Sequence, residues 1–316
     1  MVYIILLASL IGIVYGSDFL VAGAVSIARK YRVSDFVIGA AIVGVGTSMP
    51  ELAVSFIGAL QGNSDVAIGN VVGSNIFNIL GILGFTSLLF PIKVTKENER
   101  FELPVCIAVS VLLTLMVFNP LSSGDYMISR LDGLVLLISF GLYMWYSFYR
   151  DRKHFNDAEV DIAEDKKPLW KSLLAVVGGL AVLIVSCDLF VDNAVFVARS
   201  FGMSDSYISL TLIACGTSLP ELAASIAAAL KKNTQLALGN IIGSNIFNIT
   251  WILGISSQVM PLNTSGITMI DYAVMIAAAI IPLVLGFKGK ISRFSGLLMF
   301  LSFITYTVYL LKAQGL

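Results

Sequence analysis

Apolar residues run along this chain in long unbroken blocks separated by short polar stretches. A helix needs about 20 apolar residues to cross the roughly 30 Å hydrocarbon core of a bilayer. Blocks of that length lie near 2–28, 37–60, 67–91, 102–119 and 128–149, and again near 170–198, 207–230, 237–260, 268–287 and 293–312. One longer polar stretch, Arg150 to Pro168, divides the two sets. The pattern predicts an all-α integral membrane protein with ten transmembrane helices. Residues 1–149 hold the first five, 150–169 form a linker, and 170–316 hold the second five.

Composition agrees with the pattern. The chain of 316 residues is 57% hydrophobic and 13% charged, with a mean hydropathy of +0.90, whereas soluble domains carry roughly 25% charge. Its partner is therefore the lipid bilayer. Net charge is zero, and no basic patch points to nucleic acid. Cys106, Cys187 and Cys215 fall in apolar blocks and read as small core residues, since no paired spacing suggests a disulfide or a metal clip. The single histidine, His154, lies in the most polar segment and reads as solvated. The apolar N-terminus has no basic residue before Arg29 and no A-x-A cleavage site, so it reads as a retained first span.

The chain also repeats itself. Gly46-Thr47-Ser48-Met49-Pro50-Glu51-Leu52-Ala53 recurs 170 residues later as Gly216-Thr217-Ser218-Leu219-Pro220-Glu221-Leu222-Ala223. Gly69-Asn70-Val71-Val72-Gly73-Ser74-Asn75-Ile76-Phe77-Asn78 recurs at the same offset as Gly239-Asn240-Ile241-Ile242-Gly243-Ser244-Asn245-Ile246-Phe247-Asn248. Asp18 and Asp188, Arg29 and Arg199, Ser34-Asp35 and Ser204-Asp205, and Pro91 and Pro261 keep that offset too. Five spans per copy is an odd number, so the second copy enters the membrane from the opposite side. The expected architecture is a pair of inverted five-helix repeats, which recurs in transporters. With the N-terminus outside, seventeen of the 20 Lys and Arg residues fall in cytoplasmic loops, against Arg130, Arg199 and Lys312 outside. The positive-inside rule then puts both termini outside a cell membrane and the linker in the cytoplasm.

Each copy places one carboxylate among hydroxyls, a proline and glycines at membrane depth. Pro50 lacks an amide hydrogen and clashes with the carbonyl four residues back, that of Gly46, so span two should break there. Irregular backbone at that depth is tolerated where it is buried in protein or lines a watery path. Glu51 then opens a second half-helix beside Thr47, Ser48 and freed carbonyls. Span seven repeats this with Ala214, Gly216, Thr217, Ser218, Pro220 and Glu221. Span three supplies Ser74 and Asn78, one helical turn apart, and span eight supplies Ser244 and Asn248. The set is oxygen-only, which suits Ca2+ or Na+ and argues against zinc and copper.

Bland readings stand beside these. A proline among Thr and Ser can be a plain kink, and the Gly69/Gly73 and Gly239/Gly243 pairs can be packing faces. Asn78 and Asn248 can be interhelical glue, and Asn75 and Asn245 can serve packing or support the ligands. An intramembrane glutamate is a functional candidate by default, and here it occurs twice in one setting. Asp18 and Asp188 lie about three turns from Arg29 and Arg199, so a packing or access-path role is expected for them and not an ion pair.

The two elements G-T-S-x-P-E and G-S-N-x-F-N resemble the two alpha repeats of the Ca2+/cation antiporter superfamily, within it the Na+/Ca2+ exchanger branch. The resemblance covers essentially all ten spans. It implies a core of spans two, three, seven and eight, with spans one and six as long tilted gating helices. It also implies metal ligands at Thr47, Ser48, Glu51, Ser74, Asn78, Thr217, Ser218, Glu221, Ser244 and Asn248, with the backbone carbonyls of Gly44 and Ala214. Some relatives, including those resembling potassium-dependent exchangers, carry Asp where this chain has Asn248, which weakens any case for K+ cotransport. The H+/Ca2+ branch usually shows G-N-x-x-E, which spans two and seven lack.

The implied activity is Na+/Ca2+ antiport by alternating access, electrogenic at three Na+ per Ca2+, by a monomer without a resident cofactor. An H+/Ca2+ antiporter and a passive cation channel remain as alternatives at this point. An enzyme is not expected, since no H-E-x-x-H or nucleophile–base pair occurs.

Overall fold

The structure is a computed structural model that describes residues 2–118, 127–157, 168–200, 216–264 and 267–313. Eight helices in it are long and apolar enough to cross a membrane: α1 (Val2–Tyr31), α4 (Ser64–Leu89), α5 (Asn98–Val117), α6 (Arg130–Asp157), α7 (Leu169–Ser200), α9 (Thr234–Val259), α10 (Met269–Gly286) and α11 (Arg293–Ala313). A ninth crossing is the bent pair α2 (Asp35–Thr47) and α3 (Met49–Leu60), whose axes differ by 49°. The shorter apolar helix α8 (Leu219–Leu230) follows residues 201–215, which lie outside the described residues. The chain is thus a multi-pass, all-helical membrane protein. The expected site residue Ala214, with Cys215, Ser204 and Asp205, falls outside the described residues, as do residues 158–167 of the polar linker.

Burial sorts the helices into a centre and a jacket. α9 is almost wholly buried and α4 largely so, whereas α1, α6, α7 and α11 keep most of their apolar surface outward. Ile4, Leu7, Ile11 and Phe19 on α1, and Leu174, Val177 and Val185 on α7, are exposed. Such all-round apolar helices find their solvent in lipid.

Glycine and serine set how closely α1 and α7 approach. A Cβ at Gly16 would lie 2.7 Å from Leu183 N, and one at Gly23 would lie 2.7 Å from the Ser172 carbonyl. Ser26 and Ser172 hydroxyls are 2.7 Å apart at one end of this seam, and Gly12 meets Ser186 at the other. Rising numbers on one helix meet falling numbers on the other, so the two run antiparallel. By contrast α2 runs parallel to α9, with Gly39 against Leu236 and Gly44 against Ser244.

Two short antiparallel strand pairs staple the termini of the buried helices. β1 (Ile92–Lys93), just after α4, pairs with β4 (Lys290–Ile291), between α10 and α11. β3 (Leu262–Asn263), just after α9, pairs with β2 (Met127–Ile128), which precedes α6. Gly289 supplies the positive φ of +78° that the turn before β4 requires.

α6 continues to Asp157, eight residues past the predicted end of its span. The extension is held by side chains. Arg150 pairs with the buried Glu102 at 2.8 Å and lies over the Phe101 ring, and Asp151 accepts from Ser34 N at 2.6 Å. Arg150 and Asp151 are therefore packed structure and not tether. His154 lies on this extension, but its side chain is outside the described residues. Cys106 and Cys187 are buried free thiols, as expected.

Candidate functional site

The bend between α2 and α3 centres on Ser48, with φ −82° and ψ 11°, and Ser218 before α8 takes nearly the same conformation, φ −93° and ψ 9°. Pro50 and Pro220 each sit in the first turn of the following helix, where their missing amide hydrogen costs nothing. The chain thereby turns and places a glutamate in that same first turn, where the helix dipole favours an anion. Glu51 and Glu221 are both completely buried.

The carboxylates are bonded crosswise. Ser48 Oγ donates to Glu221 Oε1 at 2.8 Å, and Ser218 Oγ donates to Glu51 Oε1 at 2.8 Å. The second oxygen of each glutamate, Oε2, is buried with no protein partner. Buried polar atoms are rarely left so. Asn78 Oδ1, Asn245 Oδ1 and Asn248 Oδ1 are buried and unpartnered too, as is one donor, Asn78 Nδ2. Buried oxygens left without donors are what a hard cation satisfies. Among the described residues no third carboxylate, histidine or cysteine joins the two glutamates. Among the described residues, Glu51 and Glu221 are the carboxylates of the cage.

The remaining expected ligands fall around this pair. Thr47 is buried and donates to Val43 O at 3.0 Å and to Asn240 Oδ1 at 3.2 Å. Ser244 Oγ donates to the Gly44 carbonyl at 3.2 Å, which ties those two candidates together. Ser74 is buried one turn before Asn78, and Asn248 donates to Asn75 Oδ1 at 3.2 Å. Thr217 Oγ1 is buried beside Glu51, as Thr47 is beside Glu221. Ala214 cannot be placed, for the reason given above.

Helix winding departs from the α form beside several of the candidate ligands. π-helical turns run over Gly39–Gly44 before the first bend, over Phe77–Leu83 through Asn78, and over Asn248–Ile252. Such turns are rare and are frequent at functional sites.

Four residues close to the carboxylates escaped the sequence reading. Asn70 Nδ2 donates to the Glu51 carbonyl at 3.1 Å and to Ser55 Oγ at 2.9 Å. Asn240 Nδ2 repeats this on the Glu221 carbonyl at 3.1 Å and Ser225 Oγ at 2.8 Å. Their signal was present, because Asn70/Asn240 and Ser55/Ser225 keep the offset of 170. Asp18 also departs from expectation, since it has an ion partner from another helix. Lys231, just after α8, reaches its Oδ1 at 2.9 Å and its main-chain carbonyl at 2.8 Å. Contacts inside one helix could not have disclosed that pair.

Known proteins carry the same frame. The chain is 40% identical to the putative antiporter CaxA of Alkalimonas amylolytica, over 98% of each chain. It is 33% identical to the sodium/calcium exchanger MaX1 of Methanosarcina acetivorans, again over 98% of each. A solved structure of the sodium-calcium exchanger NCX_Mj superposes with a TM-score of 0.84 at 32% identity, covering 98% of both chains. The family model described as sodium/calcium exchanger protein matches residues 1–149 and 171–312, and so takes in both glutamates, both serine donors and all four cage asparagines. With that coverage on both sides of the linker, the chain belongs to the sodium/calcium exchanger protein family.

Proposed function

We propose that this protein is a secondary antiporter that exchanges Na+ for Ca2+ by alternating access around the Glu51/Glu221 cage. The observation that carries this reading is the crosswise Ser48–Glu221 and Ser218–Glu51 bonding, which leaves one buried oxygen of each carboxylate free for a cation. The ions are its cargo. The ligands are the two glutamates with Thr47, Ser48, Ser74, Asn78, Thr217, Ser218, Ser244, Asn248 and the carbonyls of Gly44 and Ala214. The names of MaX1 and NCX_Mj as sodium/calcium exchangers support the choice of ions.

The two halves are inverted five-span repeats, making ten spans. Support comes from the antiparallel run of α1 and α7, which hold equivalent places in the two halves, and from the staples, in which β1 and β3 stand at equivalent positions. Both termini lie outside the cell membrane, as the distribution of basic residues favours, and the monomer is the working unit.

Three Na+ per Ca2+ is the ratio the resemblance implies, and the charge of the cage is coherent with it. One Ca2+ neutralises two ionised carboxylates, and three Na+ leave one positive charge. Exchange at three Na+ per Ca2+ therefore moves net charge, worth about 2.3 kcal/mol per elementary charge per 100 mV. The empty cage is doubly negative and resists crossing, since burying unpaired charge costs far more than burying a neutralised site.

Proteoliposomes test this directly. A Na+ gradient should drive 45Ca2+ uptake, and Glu51→Gln or Glu221→Gln should abolish it. Uptake near wild-type in either variant removes that residue from the site. A valinomycin-clamped potential should speed or slow the exchange. Uptake that follows a pH gradient and ignores Na+ would assign proton coupling, and Ca2+ flux without trans Na+ would assign a channel.

A further inference from the structure

Asn75 and Asn245 are tied to each other's main chain. Asn75 Nδ2 donates to the Asn245 carbonyl at 3.2 Å, and Asn245 Nδ2 donates to the Asn75 carbonyl at 3.0 Å. A carbonyl only accepts, so this exchange fixes which way round each side-chain amide sits. Each must turn its Oδ1 away from the other's backbone. Asn75 Oδ1 then accepts from Asn248 Nδ2 at 3.2 Å, which orients Asn248 so that its own Oδ1 has no protein donor.

The equivalent bond in the other half is not made. Asn245 Oδ1 and Asn78 Nδ2 are a matching acceptor and donor, both buried and both unpartnered. The threonine pair is unequal too, with its engaged member in the first half: Thr47 donates to Asn240 Oδ1, and no such bond joins Thr217 to Asn70 among the described residues. Winding differs at the same point, since the π-helical segment spans Phe77–Leu83 around Asn78 but only Asn248–Ile252 around Asn248. Of the two equivalent asparagine pairs, Asn75–Asn248 is engaged and Asn245–Asn78 is released.

We propose that Asn75 and Asn245 are positioning residues that clasp the ligand asparagine of the opposite half one at a time. Asn75 holds Asn248 in the present conformation, and Asn245 takes Asn78 when access passes to the other face. A clasped amide presents its oxygen in a fixed direction, whereas a released amide is free to rotate. The two asparagines therefore exchange roles as fixed and adaptable ligand with each turnover. This inference rests on the alternating-access reading above.

The consequence is dependence on membrane face. Ca2+ half-saturation is measured in right-side-out and inside-out vesicles carrying full-length wild-type, Asn75→Ala or Asn245→Ala protein. Each variant should raise half-saturation about tenfold at one face, the worth of roughly one hydrogen bond, and less than twofold at the other. The two variants should affect opposite faces. A purely structural role would move both faces together, so equal shifts, or none, overturn the clasp. Where alanine variants fail to reach the membrane, Asn75→Leu and Asn245→Leu keep the branched volume without the amide and carry the same expectation. Absence of Na+-driven Ca2+ uptake in wild-type vesicles would defeat the exchange reading and the clasp with it. Wild-type exchange with face-independent variants would defeat the clasp alone.

Discussion

Ser48 and Glu221 lie 173 positions apart in the chain and are joined by a hydrogen bond of 2.8 Å, which Ser218 and Glu51 repeat in reverse. Neither half can furnish its own carboxylate with this hydroxyl. A donor on an ionised carboxylate is worth about 1.5–3 kcal/mol, roughly ten- to a hundredfold in an equilibrium constant. Ser48→Ala should therefore raise the Ca2+ half-saturation of Na+-driven uptake by about ten- to a hundredfold. Half-saturation within twofold of wild-type would mean the hydroxyl does nothing for the site. The partner assignment has its own check in detergent melting. Ser48→Ala should be non-additive with Glu221→Gln and additive with Glu51→Gln, and the reverse pattern would contradict the crosswise geometry.

How much of this could be read from the sequence follows from what a repeat encodes. Nearly identical words 170 residues apart disclosed two costly glutamates and their neighbouring hydroxyls, because lipid tolerates such groups only where they are used. The proline bend was equally legible, since the missing amide hydrogen is covalent fact. A repeat does not say which copy of a serine meets which copy of a glutamate, so the crossing of Ser48 to Glu221 was invisible. Asn70 and Asn240 stood inside the repeated words, but the Glu51 and Glu221 carbonyls they bind are main-chain atoms that no side-chain inventory includes. The Ile92–Lys93 and Lys290–Ile291 staple is two residues long on each side, below what alternation can signal. Lys231 and Asp18 meet because α8 ends against α1, and that is a tertiary fact.

Adjacent glycines on α7 give a sharp test of the α1–α7 seam. A Cβ on Gly179 would lie 2.5 Å from Leu20 N, a backbone atom that cannot step aside alone, whereas one on Gly178 meets no described atom within 4 Å. Gly179→Ala should wedge the helices apart and cost about 1–3 kcal/mol, lowering the melting temperature in detergent by several degrees. Gly178→Ala should be neutral or stabilise by up to about 1 kcal/mol, since alanine is the better helix former. Equal melting of the two variants would remove the seam as a determinant of packing.

The ion pair between Asp18 and Lys231 has no equivalent at the other end of the molecule. Asp188 stands where Asp18 does, but the position equivalent to Lys231 is Gln61, which is neutral. Both paired side chains keep substantial exposure, 50% for Asp18 and 38% for Lys231. An exposed pair is worth about 0–1 kcal/mol and is screened by salt, so its loss should change a conformational balance by no more than about fivefold. Lys231→Gln and Asp18→Asn should therefore alter the rate of Na+-driven Ca2+ uptake by less than about fivefold, with smaller effects at higher ionic strength. The double variant should match either single variant, because removing one partner already removes the bond. Complete loss of transport in Asp18→Asn, with Lys231→Gln still active, would instead place Asp18 on the path of the ion, beyond its pairing with Lys231.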